Sequence, residues 1–346
     1  MRRIVIHRPG GHDRLTVKEA AEPHPGPGQV KVRVAAAGVN YADCVTRMGL
    51  YASAKHYVGY PITPGFEFAG TVAEVGQNVQ GLDVGEPVFG VTLFGAYATE
   101  VVVDRRLVYP LPDGVTVTEA AGFPSVFLTA WYALFELVHP HPGDRLLVHS
   151  AAGGVGSSLV QLGVIAGAHV TGVVGAAHKV QTALELGASE VIDKSRQDLW
   201  PEAERLAPGG FDVVLDANGV STLKQSYAHL APAGKLVVYG FHSMLPRRGG
   251  RPNRAKLAWD MVRTPRFHPL KMTTRNRSVL AFNLSYLFER ADLLAGGIAE
   301  LVDWLREGKI RMPPVTTFRF EDVADAHRAL ESGQTVGKLV LTMGTD

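Results

Sequence analysis

The sequence predicts an α/β protein: a β-rich segment followed by a doubly wound parallel sheet. Three observations predict it. Before Pro110 the apolar residues alternate with polar ones between Gly- and Pro-containing turns. After Pro142 continuous apolar strands alternate with helical stretches. Between the first of those strands and its helix lies a glycine-rich turn. In order, Gln29–Val34 places Val30, Val32 and Val34 on one face, the period of a half-buried strand. Thr71–Val75, Pro87–Gly90 and Ala98–Val103 read as further short strands. Arg145–Ser150 reads as an apolar strand, and strand-like runs recur at His169–Val174, Val191–Asp193, Phe211–Asp216 and Lys235–Gly240, the pattern of strands covered on both faces. Right-handed crossovers then give a doubly wound sheet. Arg277–Phe282 reads as one more strand, followed by a helix around Asp292–Glu307. The tail reads strand Val315–Phe318, helix Glu321–Glu331 and strand Gly337–Thr342; Val323, Ala326 and Leu330 share one face of that helix.

A chain of 346 residues is long enough for two domains. Its composition, 46% hydrophobic and 20% charged, excludes disorder and a fibre. The net charge of +2 gives no whole-chain reason to expect a nucleic-acid partner. One cysteine, Cys44, excludes an intrachain disulfide and fits a reducing compartment. The N-terminal residues turn polar at His7 and Arg8, unlike a signal peptide. No apolar run is long enough to span a bilayer. The expectation is a cytoplasmic protein.

Ser150-Ala151-Ala152-Gly153-Gly154-Val155-Gly156 fits the small-x-Gly-x-x-Gly dinucleotide fingerprint, with Ala151 in the first glycine place. Gly153 lets the backbone approach a pyrophosphate, and Gly156 lets the helix pack closely on the sheet. The helix N-terminus offers free N–H groups to phosphate. A glycine run alone also serves as a plain tight turn, but here it sits between strand and helix. An NAD site wants an acid at the end of the second strand, to accept from the ribose 2′-hydroxyl. Here that stretch reads Val173-Val174-Gly175-Ala176-Ala177-His178-Lys179. Lys179 offers a cation to a 2′-phosphate, with His178 or Lys194 able to add to it; it also reads as an ordinary lysine at a helix start. The missing acid favours NADPH.

Three stretches carry a resemblance. They are Gly38-Val39-Asn40-Tyr41-Ala42-Asp43, Arg47-Met48-Gly49-Leu50-Tyr51, and Pro61 to Gly70 (PITPGFEFAG). With Gly95-Ala96-Tyr97-Ala98, the glycine turn and Val336-Gly337-Lys338-Leu339, they resemble the quinone oxidoreductases of the medium-chain dehydrogenase/reductase family. Asn276 to Leu287 (NRSVLAFNLSYL) resembles the vesicle amine transport protein branch. The resemblance implies a GroES-like catalytic domain formed by residues 1–123 and 289–346, a NADPH-binding Rossmann domain at 124–288, and a homodimer. It carries the cofactor site to Asn40, Thr129, Ala152, Gly153, Gly154, Val155, Gly175, Lys179, Asn218, Phe241, Phe282, Asn283 and Leu284. Lys194 stands where related enzymes often have tyrosine. Zinc alcohol dehydrogenases are also similar but place metal ligands where this chain has Asn40, Phe66 and Ser125. Glu67 alone cannot hold catalytic zinc, which needs about three protein ligands. His139 and His141 read as loop surface, and no metal is expected.

Without a Lewis acid the accessible chemistry is hydride transfer to a quinone or to an activated alkene such as an enone or enoyl thioester. The charge then spreads onto a conjugated carbonyl that one or two donors can stabilise. Asn40 and Tyr51 are the candidate donors, Tyr51 also a proton source. Equally, Asn40 can cap the helix that begins at Tyr41, and Tyr51 can be packing. Asp43 and Arg47, four apart, read as an ion pair on a helix face. The segment from Arg247 to Arg277 has ten Lys or Arg and one acid, Asp260. It reads as a solvated insert near a dimer interface, or as a contact for an anionic membrane surface or an acidic substrate tail. A nucleic-acid contact is not expected, since no aromatic platform accompanies the charge. Two functions therefore remain: a zinc-independent NADPH reductase of quinones or activated alkenes, and a non-catalytic or weakly catalytic NADPH-binding module that joins anionic lipid or a partner through this segment.

Overall fold

The computed structural model describes residues 1–246 and 250–344. The chain divides into two units. The first takes Met1–Leu128, a short return that includes Gly250 and Arg251, and the chain from Leu284 onward; the second takes Thr129–Pro246 and Pro252–Asn283.

In the first unit a mixed sheet runs Val315–Arg319, Lys338–Thr342, Gln29–Val39, Glu67–Val75, Pro87–Val91, Val108–Pro110, with Glu100–Asp104 also paired to Gln29–Val39. The alternation of Gln29–Val34 puts Val30, Val32 and Val34 into a core shared with Phe68, Val72, Val88, Tyr97, Phe320 and Leu341. The central strand runs to Val39, past the expected Val34, because Ala35 to Val39 offers small apolar residues that pair with the last strand, Leu339 opposite Val39. That pairing brings the two ends of the unit's chain into register and sets Lys338 beside the start of the helix Tyr41–Arg47.

In the second unit six strands are all parallel. Taken in chain order they lie as 3-2-1-4-5-6: Glu190–Asp193, His169–Val174, Arg145–His149, Phe211–Asp216, Leu230–Val238, Ser278–Ala281. This is the doubly wound order in which ligands meet the carboxyl ends of the strands. The strand core, with Leu147, Val173, Ile192, Val214 and Leu236, is fully buried, as strands covered on both faces require. The insert forms the helices Arg254–Arg263 and Pro269–Arg275. Arg247, where the basic segment begins, lies outside the described residues.

Candidate functional site

The glycine turn sits as the sequence predicts, between strand Arg145–His149 and helix Gly154–Ile165. Gly156 is required: a Cβ there would lie 2.0 Å from the Ser150 carbonyl oxygen, so only glycine lets the helix return against the strand end. Ala152 is buried, while Gly153, Gly154 and Val155 are half-buried. The remaining second-unit candidates, Thr129 aside, cluster at the carboxyl ends of the same sheet. Gly175 follows the strand ending at Val174, and a Cβ on it would sit 3.5 Å from the Lys194 side chain. Asn218 follows the strand ending at Asp216, and its Oδ1 accepts from the Ser150 hydroxyl at 3.5 Å. Asp216 fixes this turn: its Oδ1 accepts from the N–H groups of Asn218 and Gly219 at 2.8 and 3.0 Å. Phe241 lies against Gly219, and Phe282 packs on Tyr132 with ring centroids 5.0 Å apart. Asn283 ends this unit and Leu284 begins the return of the first. Thr129 lies on the helix Pro124–Trp131.

Lys179 is only 8% exposed. Burial, and then the nearby charge of Lys194, push its ammonium below the ordinary lysine range. Two cations held together in this way suit a multiply charged anion. Counting along the chain misses one neighbour: Asp193 lies opposite Val174 on the adjacent strand. Its Oδ1 is taken by the Ser195 N–H and hydroxyl, at 2.9 and 2.6 Å.

In the first unit, Asn40 precedes the helix Tyr41–Arg47, and its N–H donates to Asp43 Oδ2 at 2.8 Å. Its side chain turns elsewhere. Asn40 Nδ2 donates to Glu67 Oε1 at 2.7 Å, and Asn40 Oδ1 accepts from Lys338 Nζ at 2.5 Å. Lys338 also reaches the Val39 carbonyl at 2.9 Å and Glu67 Oε1 at 2.6 Å. The other Glu67 oxygen accepts from the Ser125 N–H at 2.8 Å. Glu67 and Lys338 are 0% and 2% exposed. Gly38 leaves room for this pair, since a Cβ there would meet Glu67 Oε1 at 2.4 Å. Sequence reasoning places Asn40, Glu67 and Ser125 near one another but misses Lys338. The available signal was a lone cation inside the apolar run Lys338–Leu341.

Tyr51 starts the helix Ala52–Tyr57 and lies edge-on to Phe66 and Phe94, with centroids 5.9 and 6.3 Å away. Phe66 is thus committed to an aromatic cluster.

The ion pair expected between Asp43 and Arg47 is not formed, and neither residue is on a surface. Both are fully buried. Asp43 accepts from the Gly65 N–H at 2.9 Å and the Tyr97 hydroxyl at 3.0 Å. Arg47 instead pairs with Glu331 of the helix Val323–Ser332. The helix Tyr41–Arg47 is only seven residues long and turns Asp43, Cys44, Thr46 and Arg47 into the protein, so each charge finds a partner on another element. Burial pushes the Asp43 carboxyl up to about 6, against its hydrogen-bond donors and the Lys338 charge, which favour the carboxylate. The structure also gathers Cys44, His327 and Glu331. Glu331 is already engaged by Arg47 and, at 3.0 Å, by His12, so a cation there would compete with a guanidinium.

A parallel sheet in this order, opened by a small-residue turn onto a helix N-terminus, defines a Rossmann-type dinucleotide-binding fold. The comparisons narrow it. Residues 26–113 match the alcohol dehydrogenase GroES-like domain, and residues 186–341 match the zinc-binding dehydrogenase family. The human synaptic vesicle membrane protein VAT-1 homolog is 34% identical across 100% of this chain and 87% of its own length. The crystal structure of Escherichia coli quinone oxidoreductase complexed with NADPH superposes with a TM-score of 0.86 at 27% identity, covering 99% of this chain and 100% of that one. CurK enoyl reductase superposes at 0.83 and 28% identity, covering 99% of each chain. The chain belongs to the medium-chain dehydrogenase/reductase superfamily, with VAT-1-like homologues among its relatives.

Proposed function

We propose that this chain is a zinc-independent, NADPH-dependent reductase of quinones or activated alkenes. One observation carries the reading: of the metal-ligand positions, Asn40 is bonded through its side chain to Glu67 and to the Lys338 ammonium, Ser125 gives its backbone N–H to Glu67, and Phe66 packs among aromatic rings. Zinc does not fit this set. Phe66 offers only carbon, Ser125 serves through its backbone N–H, and the Glu67 oxygens hold Asn40, Lys338 and Ser125. A divalent cation here would sit against the Lys338 charge.

NADPH, when bound, supplies a hydride. Lys179 and Lys194 would hold its 2′-phosphate, the N-terminus of the helix Gly154–Ile165 its pyrophosphate, and Asn218, Phe241, Phe282, Asn283, Leu284, Thr129 and Gly175 its remaining parts. The preference over NADH rests on these lysines and on Asp193 being tied to Ser195. Asn40 and Tyr51 would donate hydrogen bonds to an acceptor oxygen as negative charge grows on it, and Tyr51 or water would return a proton. A homodimer fits the half-exposed edge strand Ser278–Ala281, which a second copy could extend.

The test is NADPH oxidation against a panel of simple quinones, enones and enoyl thioesters, with metal content measured on the same sample. Turnover by protein free of zinc is expected. One tightly held zinc per chain, or turnover restored by zinc, would overturn the reading.

A second reading concerns the insert. Trp259, Met261, Val262 and Leu270 are 61–75% exposed, while the one acid, Asp260, is buried and paired with Lys256. Apolar side chains projecting among Arg254, Arg263, Arg266 and Lys271 suit an anionic lipid surface. On this reading NADPH is a structural ligand, and association with lipid is the function.

A further inference from the structure

We infer that Lys338 and Glu67 are positioning residues that lock the Asn40 side-chain amide in one orientation for the proposed reaction. The inference rests on the reductase reading for its kinetic consequence but not for its geometry.

An amide side chain has two nearly isosteric ends of opposite polarity, and rotation by half a turn exchanges them. At Asn40 that exchange is forbidden. An ammonium group has three donors and no acceptor, so the atom 2.5 Å from Lys338 Nζ is the amide oxygen. A carboxylate only accepts, so the atom 2.7 Å from Glu67 Oε1 is the nitrogen. The flipped amide would set N–H against ammonium and carbonyl against carboxylate, two repulsive contacts inside the protein. The nitrogen has a second hydrogen beyond the one given to Glu67, and the lock holds that hydrogen in a single place. An acceptor oxygen that gains charge therefore meets a donor that needs no reorganisation.

The two charged residues are themselves over-determined. Lys338 donates to the Val39 carbonyl and to Asn40 Oδ1, and its ammonium is ion-paired with Glu67 Oε1 at 2.6 Å. Glu67 takes the Ser125 N–H on its second oxygen, which fixes the rotation of the carboxylate. A buried ion pair is not an efficient way to stabilise a fold, because apolar residues of like volume do as well or better. Spending one at the base of Asn40 is accounted for by what it does to the amide.

A purely structural pair and a positioning pair are separable. Lys338→Met leaves Glu67 charged and buried, so its melting temperature falls on either account. Lys338→Met/Glu67→Gln removes both charges, and stability should recover. If the pair positions Asn40, kcat of the double variant stays down by about 10- to 100-fold, toward the cost of a lost oxyanion donor, while its NADPH dissociation constant stays within twofold of the parent's. Lys338→Arg, which keeps a cationic donor, should regain much of the rate. Recovery of kcat together with melting temperature in the double variant would overturn the inference. A second readout needs no turnover: with 15N-asparagine labelling, the parent's Asn40 side-chain amide, assigned by its loss in Asn40→Ala, should exchange slowly as one resonance pair. In the double variant it should exchange fast or split in two. A parent amide that already exchanges fast would overturn the lock even if the protein proved inactive on every acceptor, the outcome that sinks the reductase reading instead.

Discussion

Lys179 offers the sharpest test of cofactor choice, because its surroundings oppose its charge when no anion is bound. The side chain is 8% exposed and shares its neighbourhood with Lys194, and both facts push its ammonium toward the neutral form. Lys179→Met keeps the aliphatic volume and removes the charge. With NADPH the change removes a charge-assisted contact worth roughly 1.5–3 kcal/mol, or about 10- to 150-fold in affinity. NADH, which lacks the 2′-phosphate, should bind the variant as it binds the parent. Fluorescence titration of both cofactors at low and high salt reads all of this, and the parent's preference for NADPH should shrink as salt screens the pair of lysines. Equal losses for NADPH and NADH would refute the reasoning. Lys179 would then be supporting the fold and not reading the phosphate.

Asp43 should leave a mark on stability. A buried carboxyl raised from 3.8 to about 6 binds its proton more tightly folded than unfolded. Its contribution is therefore full below pH 4 and is lost as pH rises to 6, on the order of 3 kcal/mol in all; Asp43→Asn should flatten that part of a urea-denaturation pH series. Tyr51→Phe keeps the edge-on packing against Phe66 and Phe94. It should lower kcat toward roughly 10²-fold for enones or enoyl thioesters, less for quinones, whose reduced anions are stable in water, and equal rates on every acceptor would leave Tyr51 as packing. The exposed apolar and basic side chains of the insert should make the protein sediment with anionic vesicles at low salt and release it at high salt; the same sedimentation with neutral vesicles would remove the lipid reading.

The second unit was the more legible of the two, for a physical reason. A parallel strand covered on both faces is apolar through its middle, so Arg145–His149, His169–Val174 and Phe211–Asp216 announce themselves within a residue. Their loops lie at one end of the sheet, so residues far apart in sequence, such as Gly175 and Asn218, converge once the strand order is known. Helix-face arithmetic fared worse. Asp43 and Arg47 have the spacing of a surface pair, but spacing does not say whether the helix is covered. In the helix Arg254–Arg263, Trp259 and Met261 are exposed while Asp260 between them is buried, an arrangement that spacing alone does not announce.

The site in the first unit was half legible, and the missing half explains the visible half. Asn40, Phe66 and Ser125 could be read as substitutions at metal-ligand positions, which says what the chain lacks. What it has instead depends on Lys338, which lies 298 positions from Asn40 and reaches it only because Lys338–Thr342 pairs antiparallel with Gln29–Val39. No local pattern encodes that meeting; it follows from sheet register. Register also explains why a charge is tolerated at this point of the core. The amino end of the last strand meets the carboxyl end of the central one, where the Val39 carbonyl has no helical partner and accepts from Lys338. The positive charge beside Asn40 is thus covalently part of the fold. It cannot be chelated away, and it is held against the Val39 carbonyl, the Asn40 amide oxygen and the Glu67 carboxylate. Beyond the through-space pull of its charge, which Glu67 offsets, its influence on an acceptor passes through the Asn40 amide, whose polarity it sets.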